Sequence, residues 1–274
     1  MEQVNGESEP VDGLEWFGRE VAAALEHKGA TQRALAVATG YKEPYVSKVV
    51  NGKALASQHF ADQCDCFFNT PGSFGRLLVR VSERGNPGWF VPYLQLEKES
   101  AKIEDYSTSF IMGILQTSEY AEAVYRAARP RESEDQIKAL VELRLRRREI
   151  LERPEPPILW VILHEAVLRT VVGNRGVMVG QLQHLAAMSA IPHVTLQVLP
   201  FAAGAPASGQ SFNLLTQEDG ATVLYSETAG RGFVNDSASD VRTWSDTYNR
   251  LRAAAESEAD SLALIHSIME EHAR

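Results

Sequence analysis

The segment "PEPP", residues 154–157, separates two kinds of hydrophobic pattern in this chain. Ahead of it, apolar residues recur three and four apart in nearly every sizeable stretch, the spacing that puts them on one side of a helix. Behind it come apolar runs too short for helices: "ILWVIL" (158–163), "VTLQVLP" (194–200), "SFNLL" (211–215), "TVLYSE" (222–227) and "GFVN" (232–235). Such runs, bounded by turn residues, read as strands. Proline cannot continue a helix, so the change of period is sharp. The pattern excludes an all-α chain and an all-β chain. It predicts an all-α N-terminal domain followed by an α+β C-terminal domain with one mixed or antiparallel sheet packed by helices.

Two glycine- and proline-bearing breaks, "NTPGSFG" (69–75) and "RGNPGW" (84–89), mark the boundary. The expected division is a disordered acidic tail at 1–13, a helical domain at 14–70, a linker at 71–88 and the α+β domain at 89–274. The tail carries Glu2, Glu7, Glu9 and Asp12 with almost nothing to bury. In the second domain "PYLQLEKESAKI" is predicted helical, and "EDYSTSFIMGILQT" extended and then loop-like. Ser118 is the expected N-cap of "SEYAEAVYRAAR", and Ser133 opens a longer helix that stops at the prolines. A helix "GVMVGQLQHLAAMSA" lies between the first two strand runs. Two helices follow the last run, the second of them started by Ser257 and Asp260.

In the N-terminal domain, Thr31 is a good N-cap for "QRALAVAT", and Gly40 stands where a helix ends on a left-handed residue. A further helix runs from about Glu43 to Val50, with Pro44 in its first turn. Two short helices joined by a glycine turn form a helix-turn-helix. Ala34, Leu35, Ala38 and Gly40 are expected to let the pair cross closely, with Val46 and Val49 buried behind. That leaves Lys42, Glu43, Tyr45, Ser47 and Lys48 outward, toward a major groove.

The formal net charge of −9 argues against a protein that coats nucleic acid non-specifically. Locally the sign reverses. From Lys28 to Lys53 the basic residues are Lys28, Arg33, Lys42, Lys48 and Lys53 against the single acid Glu43, a net charge of +4 where phosphates would lie. No apolar run approaches the ~18–20 residues that span a bilayer, and "MEQVNGESEP" is the opposite of a signal peptide. The two cysteines, Cys64 and Cys66, are expected to be reduced thiols, Cys64 packing as a small apolar residue. These features lead to the expectation of a cytoplasmic protein that contacts no membrane.

The spacing T-Q-x-x-L-A-x-x-x-G-x-x-x-x-x-V-S-x-x-x-N-G from Thr31 to Gly52 resembles the xenobiotic-response-element (XRE) type of helix-turn-helix, the phage-repressor-like heads. The resemblance implies that Thr31 and Gln32 bind phosphate and that Glu43, Pro44, Tyr45 and Lys48 face bases. Lys42 replaces the usual serine or threonine cap of the third helix. Further on, "YLQLEKESAKIEDYSTSFIMGILQTSEYAEA", "RRREILERPEPPILWVILHEAVLRTVVG", "QLQHLAAMSAIPHVTLQVLPFAAGA" and "FNLL…TVLYSET" follow in order. Together they resemble the C-terminal domain of actinobacterial regulators, including WhiJ-like and antitoxin-like proteins. The chain departs from that pattern at Met112, where relatives have proline, and at Ala205–Pro206, where they carry a histidine. The resemblance implies a transcriptional regulator binding double-stranded DNA as a homodimer at a palindromic operator, and a small partner protein encoded nearby.

Chemistry in the second domain is sparse. His164–Glu165 is the best acid–base candidate, but adjacent residues at a strand end point apart and no nucleophile accompanies them. A capping or core-polar role for Glu165 is the stronger expectation. Arg144, Arg146, Arg147 and Arg148, interleaved with Glu142, Glu149 and Glu152, read as a solvated helix face, with pairing to buried carboxylates as the alternative. Trp160, Phe201, Tyr225 and Glu227 lie on or beside strands and are candidates for lining a pocket or partner groove. No enzymatic activity, metal or cofactor is expected. The two functional expectations are a regulator whose C-terminal domain mediates dimerisation and ligand or partner sensing, and an antitoxin-like protein whose DNA contact serves autoregulation.

Overall fold

The computed structural model describes residues 13–53, 56–84, 90–228 and 231–274; the acidic tail, apart from Gly13, lies outside them. The chain forms two compact units, Met1–Gly88 with Glu132–Leu143, and Trp89–Arg131 with Arg144–Arg274.

The first unit is helical: α1 (Gly13–Lys28), α2 (Gln32–Thr39), α3 (Glu43–Val50), α4 (Gln58–Phe68) and α5 (Ser73–Arg84). Its core gathers Phe17, Val21 and Leu25 from α1, Leu35 from α2, Val46 and Val49 from α3, and Phe60 from α4. The stretch expected as linker is therefore mostly a helix whose Phe74 and Leu78 are buried in this core. Its start is fixed by the buried Asp65, whose carboxylate accepts from Thr70 Oγ1 (2.5 Å), Phe74 N (3.0 Å) and Gly75 N (2.9 Å). Burial pushes that carboxyl up, but the hydrogen bonds from Thr70, Gly75, Phe74 and Ser73 outweigh it and hold Asp65 below its ordinary range. A second departure is that Ala139 and Leu143 of α8 (Glu134–Arg146) join the same core. An amphipathic face gives no hint of which core it will cover.

One close approach escapes sequence reading. A Cβ on Gly18 would sit 2.5 Å from the Val50 carbonyl oxygen and 2.7 Å from that of Val49, so glycine lets α1 meet the end of α3. Cys64 is buried and Cys66 exposed, both free. Burial, with the Asp65 charge, pushes the Cys64 thiol up to about 12.

The second unit is a six-stranded mixed sheet in the order β3-β2-β1-β4-β5-β6. The strands are β1 (Ser100–Ser107), β2 (Ile158–His164), β3 (Val194–Leu199), β4 (Phe212–Gln217), β5 (Thr222–Thr228) and β6 (Arg231–Asn235). β1, β2 and β3 are parallel, while β4 runs antiparallel to β1, and β5 and β6 continue as an antiparallel meander. Ile103, Leu159, Leu196 and Leu215 face one side of the sheet, which packs with α6 (Val91–Glu99), α7 (Ser118–Ala128), α10 (Arg175–Met188) and α12 (Glu258–Ala273). Tyr106, Ile162, Phe212 and Leu224 face the other side and pack with Tyr248 and Leu251 of α11 (Ala238–Ala254).

The central strand is the largest local difference from expectation. The helix predicted to reach Ile103 stops at Glu99, and the next eight residues, "SAKIEDYS", form β1. Its second half, from Glu104, lies in the stretch expected to be extended; the first half, with Lys102, is part of a strand that is hydrogen-bonded on both edges. The cap of α7 is Thr117, whose side chain accepts from Tyr120 N, rather than Ser118. Among the described residues no helix is long and apolar enough to cross a membrane.

Candidate nucleic-acid interface and sheet cavity

In the head, Thr31 is extended and its Oγ1 accepts from Ala34 N at 3.1 Å, capping α2. Gly40 closes that helix at φ 76°. Leu35, Ala36 and Thr39 are buried, whereas Ala34 and Ala38 are exposed and take no part in the crossing. A polar residue fits there because the Thr39 hydroxyl donates to its own helix, at Leu35 O (2.8 Å). Lys42 precedes α3 in extended conformation and makes no side-chain cap bond.

Val46 and Val49 turn inward, leaving Glu43, Pro44 and Lys48 exposed and Ser47 half-buried. Lys28, Thr31, Lys42 and Lys53 are exposed as well, and Gln32 is half-buried. The Lys28 ammonium lies over the Phe67 ring at 5.0 Å. Tyr45 is placed differently from a free groove-facing residue. Its ring stacks on Tyr41 at 4.7 Å, and both rings meet Phe60 edge-on at 5.5 and 5.4 Å. Its hydroxyl accepts from Ser57 N at 3.0 Å, and Tyr41 shares a 2.6 Å hydrogen bond with Ser57 Oγ. Ser57 also caps α4, so the tyrosine pair ties the start of α3 to the start of α4.

The second unit contains a cavity of about 600 Å³. It opens beyond the carboxyl end of β1, where strand order reverses and parallel pairing gives way to antiparallel. Open α/β sheets place ligands in that crevice. Asp105 of β1, Asn213 of β4 and Tyr225 of β5 stand in one cross-strand row beneath it. Tyr93 of α6 stacks on Tyr225 at 4.1 Å, and Phe90 packs beside both.

Three arginines of the run reach inward. Arg147 binds the 2% exposed Glu97 through two hydrogen bonds, Nε to Oε2 (2.8 Å) and Nη2 to Oε1 (2.6 Å), and Tyr93 donates to the same carboxylate at 2.5 Å. Burial alone would lower the Arg147 guanidinium; the Glu97 charge outweighs it and raises it. Arg144 donates to Gln116 Oε1 (2.8 Å) and to the Tyr125 hydroxyl (3.0 Å). Arg148 donates to the carbonyls of Ile114 and Gln116. The solvated face expected of Arg144, Arg147 and Arg148 is thus replaced by a set of interior contacts, and the alternative of pairing with a buried carboxylate holds for Arg147. Arg144 acts from the last turn of α8, Arg147 and Arg148 from the 3₁₀ turn Arg147–Leu151 that follows.

Of the four pocket candidates, Tyr225 and Glu227 line the cavity, joined by a 2.8 Å hydrogen bond. Trp160 lies on the other side of the sheet, donating to Gln197 Oε1 (2.8 Å) under the Arg252 guanidinium. Phe201 is half exposed and meets the His164 ring edge-on at 5.5 Å, outside the cavity. Met112, at a point of departure from the related pattern, is a lining residue.

His164 and Glu165 diverge. Ala166 N donates to His164 Nδ1 at 3.2 Å, which caps α9 (Glu165–Arg169). Glu165 accepts from Arg169 Nε (2.6 Å) and from Phe201 N (2.7 Å). Burial raises the Glu165 carboxyl, but the Phe201 amide and Arg169 outweigh it and hold it low. Asp105, Arg144, Arg147 and Tyr93 were missed as cavity residues by sequence reading; an acid in a strand and an arginine in a charged helix are ordinary signals.

No curated protein and no solved structure matches the chain. A family model described as a domain of unknown function, DUF5753, matches residues 90–267, more than half of the chain and all six strands of the sheet, so the chain belongs to that family.

Proposed function

We propose that the protein is an actinobacterial XRE-type helix-turn-helix transcriptional regulator of the WhiJ-like kind, cytoplasmic, binding a palindromic DNA operator as a homodimer through its first unit. The second unit mediates pairing and sensing. The observation that carries the reading is the exposed set Lys28, Lys42, Glu43, Pro44, Lys48 and Lys53 around the helix pair α2 and α3, a +4 segment in a chain of net charge −9. Cations left exposed on a stiff scaffold suit phosphate contact, and the start of α3 suits a major groove. Gln32→Ala with Lys48→Ala should abolish retention of the protein's own upstream DNA in a mobility-shift assay, while Tyr45→Phe, which keeps the ring stack, should retain it. Wild-type affinity in the double variant would overturn the docking.

A second reading, an antitoxin-like protein that binds a small partner and contacts DNA for autoregulation, is favoured by β6. That strand pairs only with β5 among the described residues and exposes Phe233 and Val234. Co-purification with the product of a neighbouring small gene, lost in Phe233→Lys, would select it.

A further inference from the structure

Two ionisable side chains line the cavity without an ion-pair partner among the described residues. Asp105 is 4% exposed and accepts from neutral donors, Ser107 Oγ (2.7 Å) at Oδ2 and Asn213 Nδ2 (2.6 Å) at Oδ1. Arg144 donates to neutral acceptors, Gln116 and the Tyr125 hydroxyl, with the Tyr125 ring 4.2 Å away. The other charges at this site are engaged: Arg147 holds Glu97, and Tyr225 donates to Glu227.

Asp105 is buried and Arg144 half-buried; Arg147 and Glu227 act on them through their fields rather than in an ion pair, so each carries a desolvation cost that a ligand of opposite sign in direct contact would offset. A purely anionic ligand would set negative charge near Asp105, Glu97 and Glu227. A purely cationic one would set positive charge near Arg144 and Arg147. A molecule carrying both signs satisfies both residues. The aromatic set Phe90, Tyr93 and Tyr225 adds a flat apolar wall, and the volume is in the range that encloses a small molecule.

We propose that the cavity binds a small aromatic zwitterion, its ammonium at Asp105, its carboxylate at Arg144 and its ring against Phe90, Tyr93 and Tyr225. The proposal supplies the effector for the sensing role and rests on that role for its use in the cell.

Asp105 gives the binding a signature. Burial pushes its carboxyl up to about 7; the Ser107 and Asn213 hydrogen bonds pull it down, Glu97 raises it and Arg147 lowers it. Around it stand Tyr93 and Glu97 of α6, Arg147 of the 3₁₀ turn, Tyr225 and Glu227 of β5, and Tyr248 of α11 on the opposite side of the sheet. An ammonium placed there favours the ionised carboxylate, so binding near pH 7 releases protons.

The test is calorimetry on the full chain without DNA, using L-phenylalanine, L-tyrosine and 4-(aminomethyl)benzoic acid, each beside its N-acetyl and carboxamide derivatives. At least one zwitterion should bind, each capped derivative should bind at least ~10-fold more weakly, and heats in phosphate and Tris buffers should report proton release. Asp105→Asn should abolish the proton release, and Arg144→Gln should cancel the preference for the free carboxylate. The wild-type comparisons stand even where a variant fails to fold. Proton uptake, equal binding of capped derivatives, or no binding at millimolar concentration would overturn the proposal. Because no DNA is present, a silent cavity leaves the head's operator reading intact, and a head that retains no DNA leaves the cavity result intact.

Discussion

The two basic clusters of this protein, Lys28 to Lys53 in the first unit and Arg144 to Arg148 in and after α8, look alike as sequence and end in opposite surroundings. In the first, Lys42, Lys48 and Lys53 stay exposed and the apolar neighbours Val46 and Val49 do the packing. In the second, Arg147 is engaged by a buried carboxylate and Arg148 by backbone carbonyls. What decides the outcome is the supply of acceptors: a guanidinium goes inward only where oxygens already wait for it. A long-range partner such as Glu97 is invisible to any local window.

That contrast can be broken by mutation. The largest expected effect is at the buried pair. Glu97→Ala leaves Arg147 without its carboxylate and should cost about 3–5 kcal/mol in denaturant unfolding. Next is a pH effect at Asp105, whose carboxyl is raised to about 7 in the folded protein. The folded form keeps its proton where the unfolded chain has lost it. The stability it contributes is therefore full below the ordinary carboxylate range and falls as pH rises toward 7, by up to about 1.4 kcal/mol per unit. Asp105→Asn should flatten that part of a stability–pH profile. Gly18→Ala, which drives a Cβ into the Val50 carbonyl, should lower stability by about 1–3 kcal/mol and loosen α3. Thr31→Ala should cost about 1 kcal/mol through the lost cap of α2. Smallest is Lys48→Ala, which should change stability by less than about 0.5 kcal/mol. In DNA titrations it should also reduce the salt slope by about 1. A Lys48→Ala cost as large as that of Glu97→Ala would erase the distinction between the clusters.

Much of the fold was legible. The helices of the head, Thr31 and Gly40 as caps, the five strand runs after the prolines and the two final helices all rest on local signals of period and punctuation. Of the strand at Ser100–Ser107 only the second half, from Glu104, was read as extended; the first half was read as helix, because its burial comes from neighbours on both edges while its own composition is polar. α5 looked like a linker because two glycine-bearing breaks flank it. Half of the pocket set was readable: Tyr225 and Glu227 line the cavity, while Trp160 and Phe201 do not. Alternation along a strand places residues on two faces, but it leaves open which face carries the hollow. Tyr45 shows the same limit in the head. Its position on α3 is as expected, yet Ser57 and Phe60, from another helix, set what its ring does.

The position of β1 bears on how the chain comes to be folded. It is synthesised first among the strands, yet it pairs with Ile158–Leu163 on one edge and Phe212–Gln217 on the other, both far downstream. Neither edge can be satisfied by a local hairpin, so the sheet must close long loops before its central strand gains a partner. On a ribosome, α1 to α5 can begin to gather their core, which α8 completes, while β1 still waits with Asp105 in water. The cavity floor is therefore among the last parts to form, and a chain halted before β4 has no such floor.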